Sequence, residues 1–209
     1  MSVHINQTAP NFTQKSTLGD INLYEYLGDY WGILFSHPKD FTPVCTTELA
    51  EVAKLQEEWN KRKTKVIALS VDDLTSHHNW INDIEQYGNI TVQYPILADE
   101  DKSVSLTYDM LHPEADDTFT VRSVYFIDPN KKIRLILTYP AQVGRNFNEI
   151  IRSLDALQKV DQDKIATPVN WKLGNLSIIP ANIKDKDIIK QQYGDNIQQI
   201  YDYLRFTSK

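Results

Sequence analysis

The most informative stretch of this 209-residue chain is WGILFSHPKDFTPVCTTE, residues 31–48. Its first six residues form a continuous apolar run, which predicts a buried strand. Its end leads into residues 47–62, where apolar side chains recur at helical spacing among charged ones. The pattern predicts Thr42 as the helix N-cap and Pro43 as the first helical residue, where the missing N–H of proline costs nothing. Cys45 then lies in the first turn of this helix.

Cys45 is the only cysteine in the chain. A single sulfur excludes an internal disulfide and a thiolate-rich metal site. A lone cysteine is more often buried and inert than reactive. The predicted position of Cys45 favours a reactive cysteine over an inert one, because the free N–H groups and the positive dipole end of a helix favour a thiolate. The thiolate is the nucleophilic form, and we therefore interpret Cys45 as a reactive residue.

Size and charge narrow the classes of protein. The length suits one substantial domain with an appendage. The net charge is −6, and no run of lysine or arginine is long enough to bind nucleic acid. We see no signal peptide, no Arg-rich presequence and no apolar run of membrane-spanning length. Together with the single cysteine, these features predict a cytoplasmic protein without nucleic-acid or membrane partners.

The order of predicted elements indicates an α/β fold. Before a hairpin turn at 128–131, the pattern predicts strands at 31–36, 65–71 and 95–99 and helices at 47–62, 75–87 and 103–108. Strands at 121–127 and 132–139 flank that turn, and a last helix covers 147–160. This order predicts a mixed central sheet flanked by helices. It accommodates a thioredoxin-like core, although periodicity alone does not select that fold.

The last part of the chain differs in character. Residues 165–209 are rich in turns, and they are too few to build a stable core of their own. They nevertheless contain apolar side chains that need burial, namely Trp171, Ile178, Tyr201, Tyr203 and Phe206. We therefore predict a main domain at 1–164 and a small C-terminal α+β extension at 165–209, which packs on the main domain or on that of a second subunit.

Several motifs resemble one protein family. The pattern Pro38-x-x-x-Thr42-x-x-Cys45 resembles the active-site signature of peroxiredoxins, and its neighbours resemble the one-cysteine subgroup. Similar motifs follow at 139–147 and 166–171, so that the resemblance covers almost the whole chain. It implies a thioredoxin-like fold, thiol-dependent reduction of peroxides, and a homodimer that uses the C-terminal extension.

The resemblance also implies catalytic roles. Cys45 would attack the peroxide and become a sulfenic acid. The Thr42 hydroxyl would hydrogen-bond the thiolate or the incoming peroxide, and Pro38 would wall the pocket against water. Arg122 would be the cation that holds the thiolate and stabilises charge moving along the O–O axis, as an anion hole does.

Three further residues are supporting candidates. Glu48 lies three residues after Cys45 on the same side of the helix, where a glutamate of the family positions the arginine. Arg145 precedes a helix whose dipole would oppose a cation, and we expect it to reach a carboxylate or the active-site mouth. His37 is either a hydrogen-bond donor or proton shuttle near the sulfur, or a surface histidine without catalytic duty.

Other chemistry receives little support. The pair His77-His78 has no third ligand at suitable spacing, and we expect no metal and no cofactor. No local signature indicates a cysteine protease. Some members of the resembled subgroup also hydrolyse phospholipids with a serine, a histidine and a carboxylate. Here Tyr30 and Tyr24 stand at the places of the serine and the histidine. Asn130 aligns best with the carboxylate, with Asp128 nearby as the alternative, and we expect no phospholipase activity.

The sequence therefore predicts a peroxidase that reduces hydrogen peroxide and organic hydroperoxides through one cysteine. Because the chain has no second cysteine, an external thiol, from the glutathione or thioredoxin system, would recycle the sulfenic acid. The alternative is a non-catalytic thioredoxin-fold redox sensor or chaperone. Repeated consumption of peroxide distinguishes the enzyme from the sensor.

Overall fold

From residue 31 to residue 107, strands alternate with helices except where two helices follow each other, and a hairpin comes next. The computed structural model describes residues 3–114 and 118–209. The elements up to Arg145 are β1 (Thr13–Ser16), β2 (Gly19–Asn22), α1 (Leu23–Leu27), β3 (Trp31–Ser36), α2 (Pro43–Lys54), α3 (Gln56–Lys61), β4 (Thr64–Ser70), α4 (Leu74–Gly88), β5 (Ile96–Ala98), α5 (Ser103–Thr107), β6 (Arg122–Ile127) and β7 (Ile133–Tyr139). The later elements are α6 (Phe147–Asp163), β8 (Ser177–Ile178), α7 (Lys186–Tyr193), β9 (Ile197–Tyr201) and β10 (Leu204–Thr207). None of the helices in the described residues has both the length and the apolar character that spanning a membrane requires.

The apolar run before the cysteine forms β3, an inner strand of the larger sheet. This sheet has seven strands in the order β2-β1-β5-β4-β3-β6-β7. Strand β3 pairs with β4 in parallel and with β6 in antiparallel orientation, and the sheet is therefore mixed. Every residue of β3 and of β6 is buried. Side chains alternate between the two faces of a strand, so both faces of the sheet are covered here. The predicted α/β fold with a mixed central sheet is confirmed.

One apolar cluster on this sheet joins strands that are far apart in sequence. Its members on the inner strands are Leu34, Ile67, Leu69, Leu97, Tyr125 and Ile127. Full burial of one such side chain contributes about 1.5–3 kcal/mol. The cluster therefore stabilises the order of strands on which the cysteine loop depends.

The single helix predicted over residues 47–62 is two helices. The backbone leaves helical geometry at Leu55, with φ −85° and ψ 12°. The carbonyls in the last turn of a helix need partners, and the indole N–H of Trp59 donates to the Val52 carbonyl at 3.0 Å. Trp59 is fully buried. The bond joins α3 to the last turn of α2, and periodicity alone does not reveal the break between them.

The sequence pattern does not predict the first three elements. Strands β1 and β2 are short and largely exposed, and they lack an alternation of apolar and polar residues. A tight turn joins them, and Gly19, the first residue of β2, has a φ of +94° that suits glycine. Strand β1 reaches the main sheet through the pair Ser16 and Leu97. Pairing with a distant strand, rather than local propensity, decides this structure.

The chain divides into two compact units, and the second begins at Asn146. It contains a three-stranded sheet in the order β8-β10-β9 and an apolar cluster of Ile165, Ile179, Ile189 and Tyr193, against which Val160 packs. Trp171 is buried, whereas Tyr201 and Tyr203 are exposed and stack with ring centroids 5.4 Å apart. This unit starts earlier than residue 165 because α6 belongs to it. The predicted boundary between a peroxidase domain and a dimerisation extension stays a prediction.

Leu34 tests the assignment of β3 to the core. Leu34→Ala should lower the free energy of unfolding by about 2–5 kcal/mol, because Leu34 is fully buried and its removal leaves a cavity. The matched control is Leu18→Ala, since Leu18 is 56% exposed and its replacement should change that free energy by less than about 0.5 kcal/mol. Urea unfolding followed by tryptophan fluorescence measures both. Equal effects of the two substitutions would contradict the assignment.

Candidate active site

The thiol of Cys45 lies in the first turn of α2 and is fully buried. Arg122, the first residue of β6, donates from Nη1 to Cys45 Sγ at 3.3 Å. Strand β6 lies beside β3, and β3 leads into the loop before α2. The sheet thus brings together two residues that are far apart in sequence, and it places a positive charge against the sulfur.

Arg122 is itself held from two sides. Its Nη1 also donates to Glu48 Oε2 at 2.8 Å, and its Nε donates to the carbonyl of Ala141 at 2.8 Å. Glu48 lies one turn after Cys45 on α2, and the same guanidinium nitrogen therefore contacts both side chains. The expected placement of Glu48 on the side of Cys45 agrees with this geometry. Arg122 is 2% exposed, and water contributes little to holding it.

Arg145 binds the same carboxylate in a bidentate manner. Its Nε lies 3.0 Å from Glu48 Oε1 and its Nη2 lies 2.7 Å from Glu48 Oε2. Its backbone N–H donates to Glu48 Oε1 at 2.6 Å. The remaining Nη1 donates to the carbonyls of Ser36 and Ser123 at 2.8 and 3.2 Å, and the guanidinium lies over the Phe35 ring at 4.8 Å. Arg145 reaches a carboxylate, as the sequence predicts, and it also ties α2 to β3 and β6.

The charges in this cluster do not balance without the sulfur. Burial by itself raises the pKa of Glu48, but the charge and hydrogen bonds of Arg145, with the charge of Arg122, outweigh burial and hold this pKa below its usual value. Glu48 is therefore ionised at neutral pH. Two guanidinium groups face one carboxylate, which leaves one positive charge uncompensated. A thiolate at Cys45 would neutralise the cluster, and buried charges require such pairing.

Thr42 occupies the N-cap position of α2, as predicted, but its side chain does not cap the helix. Its hydroxyl donates to the Lys39 carbonyl at 2.8 Å, within the loop, and no cap hydrogen bond is made. The bond fixes the direction of the hydroxyl and leaves its lone pairs available as acceptors. Pro38 is half-buried in the same loop.

His37 is not a surface residue, and that alternative is wrong. Its ring is fully buried, and its Nε2 lies 2.9 Å from Asp40 Oδ1. His37 directly follows the fully buried strand β3, and its backbone N–H still donates to the Leu69 carbonyl of β4 at 2.9 Å. A part for His37 in proton transfer stays a prediction.

The sequence misses the partners of His37. Among the described residues, the ligand atoms of His37, Asp40 and His77 lie within 4.8 Å of one another. Spacing along the chain does not indicate this group, since His77 lies on α4 and comes near only in the folded protein. Hydrogen bonds of 2.9 and 2.6 Å already join these atoms through Asp40. We interpret the group as a hydrogen-bonded cluster. The acidic Asp40, three residues after His37 and between Pro38 and Pro43, is the sequence signal that could have pointed to it.

Comparison with known proteins gives the family. Residues 5–136 match the AhpC/TSA family, and residues 156–196 match the C-terminal domain of 1-Cys peroxiredoxin. The 1-Cys peroxiredoxin of Dictyostelium discoideum is 50% identical over 205 residues, which cover 98% of this chain and 85% of that protein.

Two solved structures are similar over the whole chain. One is yeast mitochondrial 1-Cys peroxiredoxin, described for its thiol resolving mechanism via the glutathione and thioredoxin systems. It has a TM-score of 0.91 and 46% identity, and the match covers 99% of this chain and 100% of that chain. Peroxiredoxin 6 of Arenicola marina has a TM-score of 0.93 and 36% identity, with 99% and 98% covered. The predicted thioredoxin-like fold is thus confirmed, and the chain belongs to the AhpC/TSA family, within its group of one-cysteine peroxiredoxins.

Proposed function

We propose that Cys45 of this thiol-dependent peroxidase reduces hydrogen peroxide and small organic hydroperoxides. The observation that carries the proposal is the contact of Arg122 Nη1 with Cys45 Sγ at 3.3 Å, within a buried cluster that has one positive charge in excess. Such a cluster stabilises a thiolate, which is the form that attacks a peroxide. The family to which the chain belongs supports the same chemistry.

The reaction is a displacement at oxygen. The Cys45 thiolate attacks one oxygen of the hydroperoxide, an S–O bond forms and the O–O bond breaks. The sulfur is oxidised to a sulfenic acid, and the other oxygen leaves as an alkoxide or hydroxide that takes up a proton to give an alcohol or water. Arg122 stabilises the charge that moves from sulfur to the leaving oxygen. The Thr42 hydroxyl accepts a hydrogen bond from the peroxide, and Pro38 limits the access of water.

Glu48 and Arg145 act through Arg122 as positioning residues. Arg145 holds the Glu48 carboxylate with a bidentate pair, and that carboxylate fixes Arg122 Nη1 against the sulfur. Planar guanidinium and carboxylate groups pair in one geometry, which makes the arrangement stiff. The guanidinium is therefore in place before the peroxide arrives.

An external thiol completes the cycle in this proposal. The chain has one cysteine, and the sulfenic acid is therefore attacked by a thiol of another molecule, which releases water and leaves a mixed disulfide that a second thiol reduces. Glutathione and the thioredoxin system are the candidate reductants, since the yeast relative is described with both. A redox sensor or chaperone would be oxidised once without turnover. The cytoplasmic location and the lack of phospholipase activity stay predictions.

We also propose a homodimer. Strand β7 lies at an edge of the larger sheet, and its seven residues are mostly half-buried rather than exposed. Its first residue, Ile133, bonds to the backbone of Asn6 and Gln7. Beyond Ile133, no strand of the described residues lies beside this edge, which makes it a site for association. The stacked Tyr201 and Tyr203, which are 56% and 67% exposed, offer a second apolar surface on the C-terminal unit. A two-fold arrangement that covers such surfaces gives a closed dimer.

Cys45→Ser tests the nucleophile. This substitution should abolish peroxide consumption because no other thiol is present in the chain, while circular dichroism and urea unfolding stay close to those of the parent. Turnover is measured side by side with dithiothreitol, glutathione and the thioredoxin system. Residual turnover by the purified variant would contradict the mechanism, and a parent that is oxidised once without turnover would favour the sensor.

Arg122→Gln tests the cation. The second-order rate constant with hydrogen peroxide should fall by the equivalent of about 2–4 kcal/mol, as for loss of one anion-hole donor. The matched control is Arg134→Gln on the neighbouring strand β7, where Arg134 pairs with Asp128 at 3.2 Å. Stopped-flow tryptophan fluorescence measures both rate constants. Similar rate constants for Arg122→Gln and the parent would show that another group holds the thiolate.

Tyr203→Ser tests the dimer. Tyr203 is 67% exposed in the single chain, and its replacement should therefore spare the fold but weaken association. Tyr87→Ser on α4, where Tyr87 is 60% exposed, is the matched control. Sedimentation velocity at micromolar concentration should show a dimer for the parent and the control, with dissociation in Tyr203→Ser. Deletion of 165–209 should reduce both dimerisation and activity, and a monomeric parent with activity unchanged by the deletion would refute the proposal.

A further inference from the structure

A second buried polar cluster surrounds Asp40, in the loop between β3 and α2. Its Oδ1 lies 2.9 Å from His37 Nε2, and its Oδ2 lies 2.6 Å from His77 Nδ1. Oδ2 also accepts a hydrogen bond from Ser76 Oγ at 2.8 Å, and the backbone N–H of Asp40 donates to Asp72 Oδ2 at 3.0 Å. Asp40 is 3% exposed and both histidines are fully buried. The proposed displacement at oxygen uses neither Asp40 nor His77.

The hydrogen-bond partners determine the protonation of His77. Its Nε2 lies 3.1 Å from the Leu97 carbonyl oxygen, which can only accept, and Nε2 therefore carries a hydrogen. Its Nδ1 faces the Asp40 carboxylate, which requires a second hydrogen between them. Burial by itself raises the pKa of Asp40, but the hydrogen bonds from His37 and His77 outweigh burial and hold this pKa well below its usual range. The shared proton therefore resides on His77, and the pair is an imidazolium with a carboxylate.

His37 has the opposite protonation state. Its Nε2–H donates to Asp40 Oδ1, and burial holds the pKa of His37 below its usual value, assisted by the charge of His77 and opposed by Asp40 and Asp72. The ring is neutral, and its Nδ1 carries a lone pair. That atom is buried and has no hydrogen-bond partner in the described part of the protein. An unsatisfied buried acceptor is costly, and its presence in a folded protein calls for a structural or functional reason.

Helix α4 connects this cluster to the first turn of α2. Trp80, one turn after His77, donates from Nε1 to Thr46 Oγ1 at 3.1 Å. Its ring also lies 5.2 Å from the ring of His37. Thr46 is the residue after Cys45. One face of α4 thus contacts both the loop before the cysteine and the turn that contains it.

We propose that Asp40 and His77 are positioning residues, which hold His37 as the neutral Nε2–H tautomer and thereby fix the loop that carries Pro38 and Thr42. The proposal rests on the proposed peroxidase function, since Pro38 and Thr42 act there. A buried ion pair adds little net stability compared with apolar packing, so that its benefit here is geometric. The pair anchors residues 37–42, which carry Pro38 and Thr42, to α4.

Nuclear magnetic resonance of the intact protein tests the protonation states directly. With ¹⁵N-labelled histidine, His77 should have both ring nitrogens protonated at neutral pH, and His37 should have hydrogen on Nε2 alone. In Asp40→Asn, His77 should become neutral and the single tautomer of His37 should be lost. A neutral His77 in the parent, or a hydrogen on His37 Nδ1, would overturn the proposal without any need for a variant to fold.

Kinetics test the positioning role. His77→Gln and Asp40→Asn should each lower the second-order rate constant with hydrogen peroxide by about 10- to 100-fold, as expected for displaced reacting groups. The matched control is His78→Gln, because His78 is the next residue on α4 and is exposed; its rate constant should equal that of the parent. If the resonances are as expected but both variants, His77→Gln and Asp40→Asn, react as fast as the parent, the positioning role is overturned and the proposed function stays intact. A parent that does not turn over peroxide would instead refute the proposed function, while the resonances would still decide the protonation states.

Discussion

The structure around Cys45 depends on one buried carboxylate. Glu48 receives both guanidinium groups of the site, from Arg122 on one oxygen and from Arg145 on both. Removing two cations and an anion from water is costly, and close, fully hydrogen-bonded pairing must offset that cost. The arrangement leaves one positive charge, and the sulfur is the group placed to receive it. The ion pairs therefore serve the electrostatics of the thiol more than the stability of the fold.

The same interactions connect secondary structure elements. Arg145 donates to carbonyls at the end of β3 and the beginning of β6, while its carboxylate partner lies on α2. The start of α2 is thereby fixed relative to the sheet. Within the loop, Asp40 receives hydrogen bonds from His37, the residue after β3, and from His77 on α4. The cysteine turn is thus held between two polar networks, each built on a buried carboxylate.

Local sequence predicts much of the fold. Apolar runs and helical spacing predict β3, β4 and the hairpin of β6 and β7, since each of these signals lies within a few residues. Elements that depend on distant partners leave no such local signal. Strand β1 joins the sheet at β5, and the break between α2 and α3 follows from a bond of Trp59 to Val52. The same limit applies to the C-terminal unit, where α6 and the tail share one apolar cluster.

The sequence by itself determined the reactive centre of this protein: one cysteine, in the first turn of a helix that Thr42 and Pro43 begin, with Glu48 one turn later. These features are local, because helix starts and i to i+3 neighbours follow from spacing alone. The family resemblance named Arg122 as the cation, but only the tertiary structure shows how it reaches the sulfur. The tertiary structure alone decided that Arg145 forms a bidentate pair with Glu48 and that His77 reaches Asp40. Strand pairing and helix packing make those contacts across long stretches of chain. Burial then sets their charge states, because a low-dielectric interior penalises every unpaired charge.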